Sequence, residues 1–139
     1  MSKNLAVVAE SVDKIGPDNF AYSQGIRRGS MLFISGQVPR DADNNLVGAD
    51  DLEAQCVQVY ENIKAIVEAA GGTMADIVDT TVVVTDNSYK AVHTEVRKRF
   101  FQAPFPCSTA IVAGLSLGYM IEINAVAILD NWSRNDGPL

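Results

Sequence analysis

The chain has 139 residues, a formal net charge of −6 at pH 7 and 47% hydrophobic residues, values typical of one globular domain spanning residues 1–139. The acidic balance argues against a nucleic-acid partner, because phosphate contacts need a basic surface. No apolar run approaches the length of a membrane span and residues 1–10 lack the pattern of a signal peptide, so we expect no membrane partner and a cytoplasmic location.

The predicted secondary structure combines short strands with two helices. Turn-forming residues predict a loop at residues 16–19 and a turn at residues 27–30. Pro104 and Pro106 end the second helix and force an extended connection. In chain order, the predicted elements are strands at residues 5–8, 22–26 and 31–38, a helix at 52–70, a strand at 76–85, a helix at 88–101, strands at 109–113 and 120–129, and a polar tail at 131–139.

The clearest element is the helix at residues 52–70, whose apolar residues recur every three or four positions. Asp50 is predicted to cap its start, with Glu53 three positions on as in a capping box. Gly71 and Gly72 supply the left-handed stop. Strands interleaved with two helices predict an α+β fold in which both helices pack on one face of the sheet.

The strand at residues 76–85 predicts that the chain forms a homo-oligomer. If the strand alternates regularly, both of its faces are apolar. Because a soluble monomer rarely exposes such a patch, the helix-free face should be buried against other copies. The two predicted faces consist of Ile77, Thr81 and Val83 on one side and of Val78, Thr80, Val82 and Val84 on the other.

The last strand contains the sharpest chemical signal. Its alternation places Glu122 and Asn124 on a face that is otherwise apolar. A carboxylate in an apolar setting has a raised pKa, which suits proton transfer or the positioning of water. A strand end in solvent, or an ion pair between subunits, explains the same pattern, and the pattern alone favours neither interpretation.

The cysteines and the single histidine are further candidates. Cys56 belongs to the apolar stripe of the first helix, and Cys107 is interpreted as a small buried residue, because a cysteine nucleophile needs a positive partner. The two cysteines form no disulfide framework, which is typical of a reducing compartment. His93 is predicted to be half-exposed on the second helix, and without further ligands at metal-binding spacing it predicts no metal site.

Several motifs give the chain a specific resemblance. They are Ile15-Gly16-Pro17, Tyr22-Ser23-Gln24, the FISGQVP run at residues 33–39, the helical run at 61–71, Phe105-Pro106 and Ile121-Glu122-Ile123. With these motifs, the chain resembles the RidA/YjgF family of imine and enamine deaminases from about residue 15 to residue 129. The resemblance implies a chorismate-mutase-like sheet, a homotrimer with three clefts between subunits, and hydrolysis of a small-molecule imine or enamine to a carbonyl compound and ammonia without metal or organic cofactor.

The resemblance also implies which residues line the cleft. Tyr22 and the backbone near Gly36 contact the substrate, and Glu122 holds the attacking water. Further substrate-binding positions follow from alignment with the family motifs: Cys107, Ser108, His93 and Asn124.

The chain departs from the family at this predicted cleft. The family arginine that binds the substrate's carboxylate aligns with Ser108, or with Cys107 if a one-residue gap falls earlier, and neither side chain is cationic. Arg97 or Arg99 is a candidate for a displaced cation, although both also fit a solvated helix face. We therefore predict a hydrolytic deaminase with non-standard substrate specificity, such as an imine without an α-carboxylate or a larger aminomuconate-like one. The alternative is a non-catalytic trimer that binds a small metabolite or acts like a chaperone.

Overall fold

The computed structural model describes residues 3–130; the predicted tail at residues 131–139 lies outside them. It confirms the α+β class: one six-stranded sheet is combined with three α-helices. In chain order the elements are β1 (Leu5–Val7), α1 (Ile15–Phe20), β2 (Gly25–Arg28), β3 (Met31–Gln37), α2 (Leu52–Ala69), β4 (Ile77–Val84), α3 (Lys90–Phe100), β5 (Cys107–Val112) and β6 (Ile121–Ile128).

The sheet has the strand order β1-β2-β3-β6-β4-β5. Its neighbouring strands are antiparallel except β4 and β5, which are parallel. A parallel pair needs a crossover connection, and α3 lies in the connection between these two strands. β5 is the last strand in the strand order and thus an edge strand, and no strand of the described residues pairs with its outer side.

One face of the sheet forms the core with the helices. Leu32 and Ile34 of β3 and Ile121, Ile123 and Ala125 of β6 are at most 3% exposed. The alternation predicted for the last strand is thus confirmed on its buried side. The predicted apolar stripe of α2 is also confirmed by its buried hydrophobic residues, which are Cys56, Val59, Tyr60, Ile63, Ile66 and Val67.

The opposite, helix-free face of the sheet carries large apolar side chains in the open. Their exposed fractions lie between 37% and 46% for the set Met31, Phe33, Val78, Ile111 and Ile128. All six residues of β5 are exposed as well. The two-sided apolar character predicted for the sheet is therefore present.

A bulge in β4 corrects the predicted faces of that strand. The pairing of β4 with β6 shifts between Ile77 and Asp79. In this segment β4 has one residue more than the β6 segment that it pairs with, which is a β-bulge. Ile77 is 4% exposed and Val78 is 43% exposed, so each lies on the face opposite to the predicted one. Beyond the bulge, Thr80 faces the helices.

Three local predictions are also corrected. The predicted loop at residues 16–19 belongs to α1, because Pro17 falls in the first turn, where a missing N–H is tolerated. The predicted turn at residues 27–30 is shorter, because Arg27 and Arg28 belong to β2. The cap of α2 is Asp51 and not Asp50: its carboxylate accepts a hydrogen bond from the Ala54 N–H.

Candidate functional site

Glu122 of β6 lies on the helix-free face, directly against Gly36 of β3. A Cβ atom at Gly36 would lie 3.0 Å from Glu122 Oε2 and 3.1 Å from its Cδ. Only glycine therefore leaves the carboxyl group in this position. Burial raises the pKa of Glu122, so its carboxylate is a stronger base than one in water. Asn124, on the same face, is exposed and lies opposite Thr81 of β4.

The Tyr22 hydroxyl belongs to the same cluster. Burial raises the pKa of Tyr22, and the negative charges of Asp13 and Glu122 raise it further, while the Arg40 guanidinium opposes this shift. The phenol is therefore a protonated hydrogen-bond donor at neutral pH. Tyr22, Asp13, Gly36 and Arg40 also line one small cavity.

Gln24 explains how the segment before Tyr22 is held in place. This residue is 3% exposed, and its Oε1 accepts a hydrogen bond from the Ala9 N–H at 2.7 Å. Its Nε2 donates to the carbonyl oxygens of Ala9, Val12 and Asp13 at 3.2–3.4 Å. These hydrogen bonds hold the segment around Asp13 beside Tyr22.

Arg40 is a member of the site that the sequence prediction missed. Its Nε donates a hydrogen bond to the Tyr119 hydroxyl, and its Cζ lies 5.3 Å from the centre of the Tyr119 ring. Its Nη1 donates to Asn44 Oδ1 at 2.9 Å. The signal was an arginine placed directly after the FISGQVP motif.

Two buried amides of α2 fix the loops that carry Arg40 and Tyr119. Asn62, 3% exposed, donates from Nδ2 to the Arg40 carbonyl oxygen at 3.0 Å. Gln55, 0% exposed, donates from Nε2 to the Gly118 carbonyl oxygen at 3.2 Å and accepts from the Met120 N–H at 2.8 Å. The longest helix thus positions both sides of the cation–aromatic pair.

His93 lies in the helical layer and not at Glu122. It is 7% exposed, and its Nε2 lies 2.6 Å from the Tyr60 hydroxyl. The prediction of a half-exposed histidine is therefore wrong. Burial, with a smaller contribution from the charge of Arg97, lowers the pKa of His93 to about 4. The ring is neutral at pH 7 and belongs to the face of the sheet opposite to Glu122.

Arg97 is also buried in the helical layer, which contradicts its interpretation as a solvated charge. It is 9% exposed. Its Nη1 donates to Thr80 Oγ1 at 2.9 Å and to the Tyr60 hydroxyl at 3.4 Å, and its Nη2 donates to the Pro106 carbonyl oxygen at 3.0 Å. Arg99 instead forms an exposed ion pair with Glu53.

Cys107 and Ser108 lie on the exposed edge strand, and the prediction that Cys107 is buried is wrong. Val83 of β4 pairs with Glu122 on one side and with Ile111 on the other. Ser108 and Cys107 lie about 10–13 Å along β5 from Ile111, and β5 lies about 10 Å from β6 because β4 is between them. A single chain therefore does not bring them to Glu122.

Two further features are absent from the described part of the chain. No group of three or more His, Cys, Asp or Glu side chains within residues 3–130 is arranged to hold a metal ion. In the same part of the chain, no helix is both long enough and apolar enough to cross a bilayer.

Comparison with known proteins agrees with the sheet, the helices and the motif positions. The family model described as Endoribonuclease L-PSP matches residues 16–129. The 2-iminobutanoate/2-iminopropanoate deaminase of Salmonella typhimurium is 42% identical in an alignment of 132 residues, and the match covers 92% of this chain and 98% of that protein. The chain therefore belongs to the Endoribonuclease L-PSP family. Its membership of the RidA/YjgF family, predicted from the motifs, is confirmed.

Two solved structures show the same fold. RidA from the Antarctic bacterium Psychrobacter is 35% identical with a TM-score of 0.80, and the match covers 90% of this chain and 99% of that one. Escherichia coli TdcF with bound serine is 36% identical with a TM-score of 0.78, and the match covers 89% and 98% of the two chains.

Proposed function

We propose that the chain is a hydrolytic deaminase of a small reactive imine or enamine, with Glu122 positioning the attacking water. The observation that carries the proposal is the half-buried Glu122 carboxyl group, which lies against Gly36 and near the Tyr22 hydroxyl. The name of the Salmonella relative supports the reaction class. The serine bound to the TdcF structure supports a ligand of small-metabolite size.

The chemistry needs one base and one oriented electrophile. As water oxygen bonds to the C=N carbon, Glu122 takes a proton from the water and the C=N electron pair moves to nitrogen. Glu122 then returns the proton to nitrogen, which completes the carbinolamine. Glu122 next transfers the proton of the new hydroxyl group to nitrogen, the C–N bond breaks as the C=O bond forms, and a carbonyl compound and ammonia are released. The Tyr22 hydroxyl donates a hydrogen bond to the substrate, and positioned water lowers the entropic part of the barrier. An enamine enters the same sequence after protonation on carbon.

The proposed site lies between subunits of a homotrimer. One chain supplies Tyr22, Gly36 and Glu122, while its own Cys107 and Ser108 are remote from them on the edge strand. In this arrangement, a neighbouring chain covers the exposed apolar face and brings its own β5 beside Glu122. This arrangement accounts for both the open edge of β5 and the apolar side chains around it.

Ammonia release from a panel of freshly generated imines and enamines tests the proposal. The panel includes imines with an α-carboxylate, imines without any carboxylate, and an aminomuconate. We expect acceleration over the uncatalysed rate for at least one class. The Glu122→Gln variant should lose at least about 100-fold in kcat/KM, because the base is removed.

The Glu68→Gln variant is the matched control, because Glu68 is an exposed carboxylate on α2. It should keep full activity, and light scattering should show the same assembly for both variants. A panel without acceleration, or activity that survives Glu122→Gln, would contradict the deaminase. It would instead favour the non-catalytic trimer that binds a small metabolite or acts like a chaperone.

A further inference from the structure

Arg40 lies where a substrate bound near Glu122 would meet a positive charge. It lines the same cavity as Tyr22 and Gly36, and Gly36 is the residue against which the Glu122 carboxyl group lies. The Tyr22 hydroxyl feels the charges of both Glu122 and Arg40. The guanidinium and the carboxyl group therefore both act on one phenol.

The Arg40 charge is not neutralised within the described residues. The ion pairs there join Glu10 to Lys14, Glu95 to Lys98 and Glu53 to Arg99, and none includes Arg40. Its Nε and Nη1 donate to Tyr119 and Asn44, and no residue between 3 and 130 accepts a hydrogen bond from Nη2. A half-buried guanidinium with a free N–H edge is suited to bind an anion.

The guanidinium is held in place before any ligand binds. The Tyr119 ring lies under it, Asn44 bonds one of its ends, and Asn62 of α2 bonds the backbone of Arg40. Less side-chain freedom is then lost on binding, which favours affinity. Recognition of an anion needs this kind of fixed donor.

We propose that Arg40 binds a carboxylate of the substrate, so that it takes the place of the family arginine missing at Ser108 or Cys107. The inference rests on the proposed deaminase and defines its substrate class. Arg40 follows β3, which is next to β6, whereas Ser108 lies on β5, two strands from β6. Arg40 and Glu122 are therefore supplied by the same chain, whereas Ser108 reaches Glu122 only from a neighbouring subunit.

The substrate class follows from the separation of the two charges. None of the ion pairs within residues 3–130 joins Arg40 to Glu122, so the guanidinium is not in contact with that carboxyl group. An anion bound to Arg40 is separated from the C=N carbon held at Glu122. The substrate is an imine or enamine whose carboxylate is separated from the C=N carbon by intervening carbon atoms.

Binding of stable keto acids tests this inference without turnover. The probes are 4-oxopentanoate, with a distal carboxylate, its methyl ester, and 2-oxobutanoate, with an adjacent one. By calorimetry, the unmodified chain should prefer 4-oxopentanoate to both other probes. Arg40→Met should weaken its binding at least about tenfold, and Arg40→Lys, which keeps the charge without the fork, should weaken it less.

Arg99→Met is the matched control, because Arg99 is an arginine on the outer surface of α3. It should bind 4-oxopentanoate like the unmodified chain, and thermal unfolding should show that all variants are folded. Equal affinity in Arg40→Met, preference for 2-oxobutanoate, or no binding of either acid would overturn the inference.

Measurements of ammonia release distinguish failure of the inference about Arg40 from failure of the proposed function. Imines with a distal carboxylate should show a raised KM in Arg40→Met and a lost kcat in Glu122→Gln. Turnover that depends on Glu122 and not on Arg40 would overturn the role of Arg40 and leave the deaminase standing. Binding that depends on Arg40 without any turnover would overturn the deaminase and leave the carboxylate site standing.

Discussion

Two arginines, the buried Arg97 and the half-buried Arg40, are used differently. Arg97 donates to Thr80, Tyr60 and the Pro106 carbonyl oxygen within the helical layer. Arg40 lies at the cavity beside Tyr22 and keeps one N–H edge without a described acceptor. The difference shows that the hydrogen-bond partners of a guanidinium, more than its burial, distinguish a structural role from a binding role.

The largest effect on stability is expected from Arg97→Ala. It removes the donor to the Pro106 carbonyl oxygen and leaves a cavity beside Tyr60. We expect a loss of about 3 kcal/mol in the free energy of unfolding, measured with urea at pH 7. Arg99→Ala, on the solvent side of the same helix, should lose less than about 1 kcal/mol. Equal losses in the two variants would remove the distinction between the arginines.

The next largest effect is an acid-dependent loss of stability due to His93. The pKa of His93 falls from 6.5 to about 4 on folding, so between these values the unfolded chain binds a proton that the folded chain does not. Stability should fall as pH falls through this window, by up to about 3 kcal/mol. Urea unfolding from pH 7 to pH 4 measures it.

His93→Gln is the control for that titration, since glutamine offers a polar group to Tyr60 and does not titrate. Its unfolding should depend less on pH than that of the unmodified chain. Glu122 acts in the opposite sense: its raised pKa makes the folded state bind its proton first, so its contribution to stability is lost as pH rises. Identical pH profiles for the His93→Gln and unmodified chains would contradict the assignment.

The smallest effect on folding, with a clear effect on turnover, is expected from Gly36→Ala. The added methyl group meets Glu122 at 3.0–3.3 Å, and this flexible side chain can move aside, so stability should change by less than about 1 kcal/mol. Displacement of the carboxyl group should lower kcat at least about tenfold. Gly114→Ala, where a Cβ has no neighbour within 4 Å, should change neither quantity.

Local periodicity was enough to predict the core-facing residues of α2 and β6. Each element has a regular repeat, and its buried face follows from that repeat alone. The bulge in β4 was not predictable in the same way, because one extra residue at Ile77–Asp79 depends on pairing with β6. The faces inferred for Ile77 and Val78 were therefore exchanged.

The site was predictable only where a motif carried it. Glu122, Gly36 and Tyr22 belong to short family motifs, and the structure brings them together. Arg40 meets Tyr119 across 79 positions of the chain, a contact that no local pattern encodes. His93 and Arg97 were misjudged for a similar reason, because their burial depends on Tyr60 of another helix.

The open side of β5 makes the tendency of the protein to aggregate dependent on pH. The strand runs from Cys107 to Val112 without a charged residue or a proline, so it lacks the usual protection against edge-to-edge pairing. Repulsion between chains of net charge −6 opposes such pairing. That repulsion weakens with added salt and vanishes near the isoelectric point of about 4.6. Acidification thus removes the charge barrier between chains whose β5 edge is not covered by a neighbouring subunit, before it protonates most carboxylates.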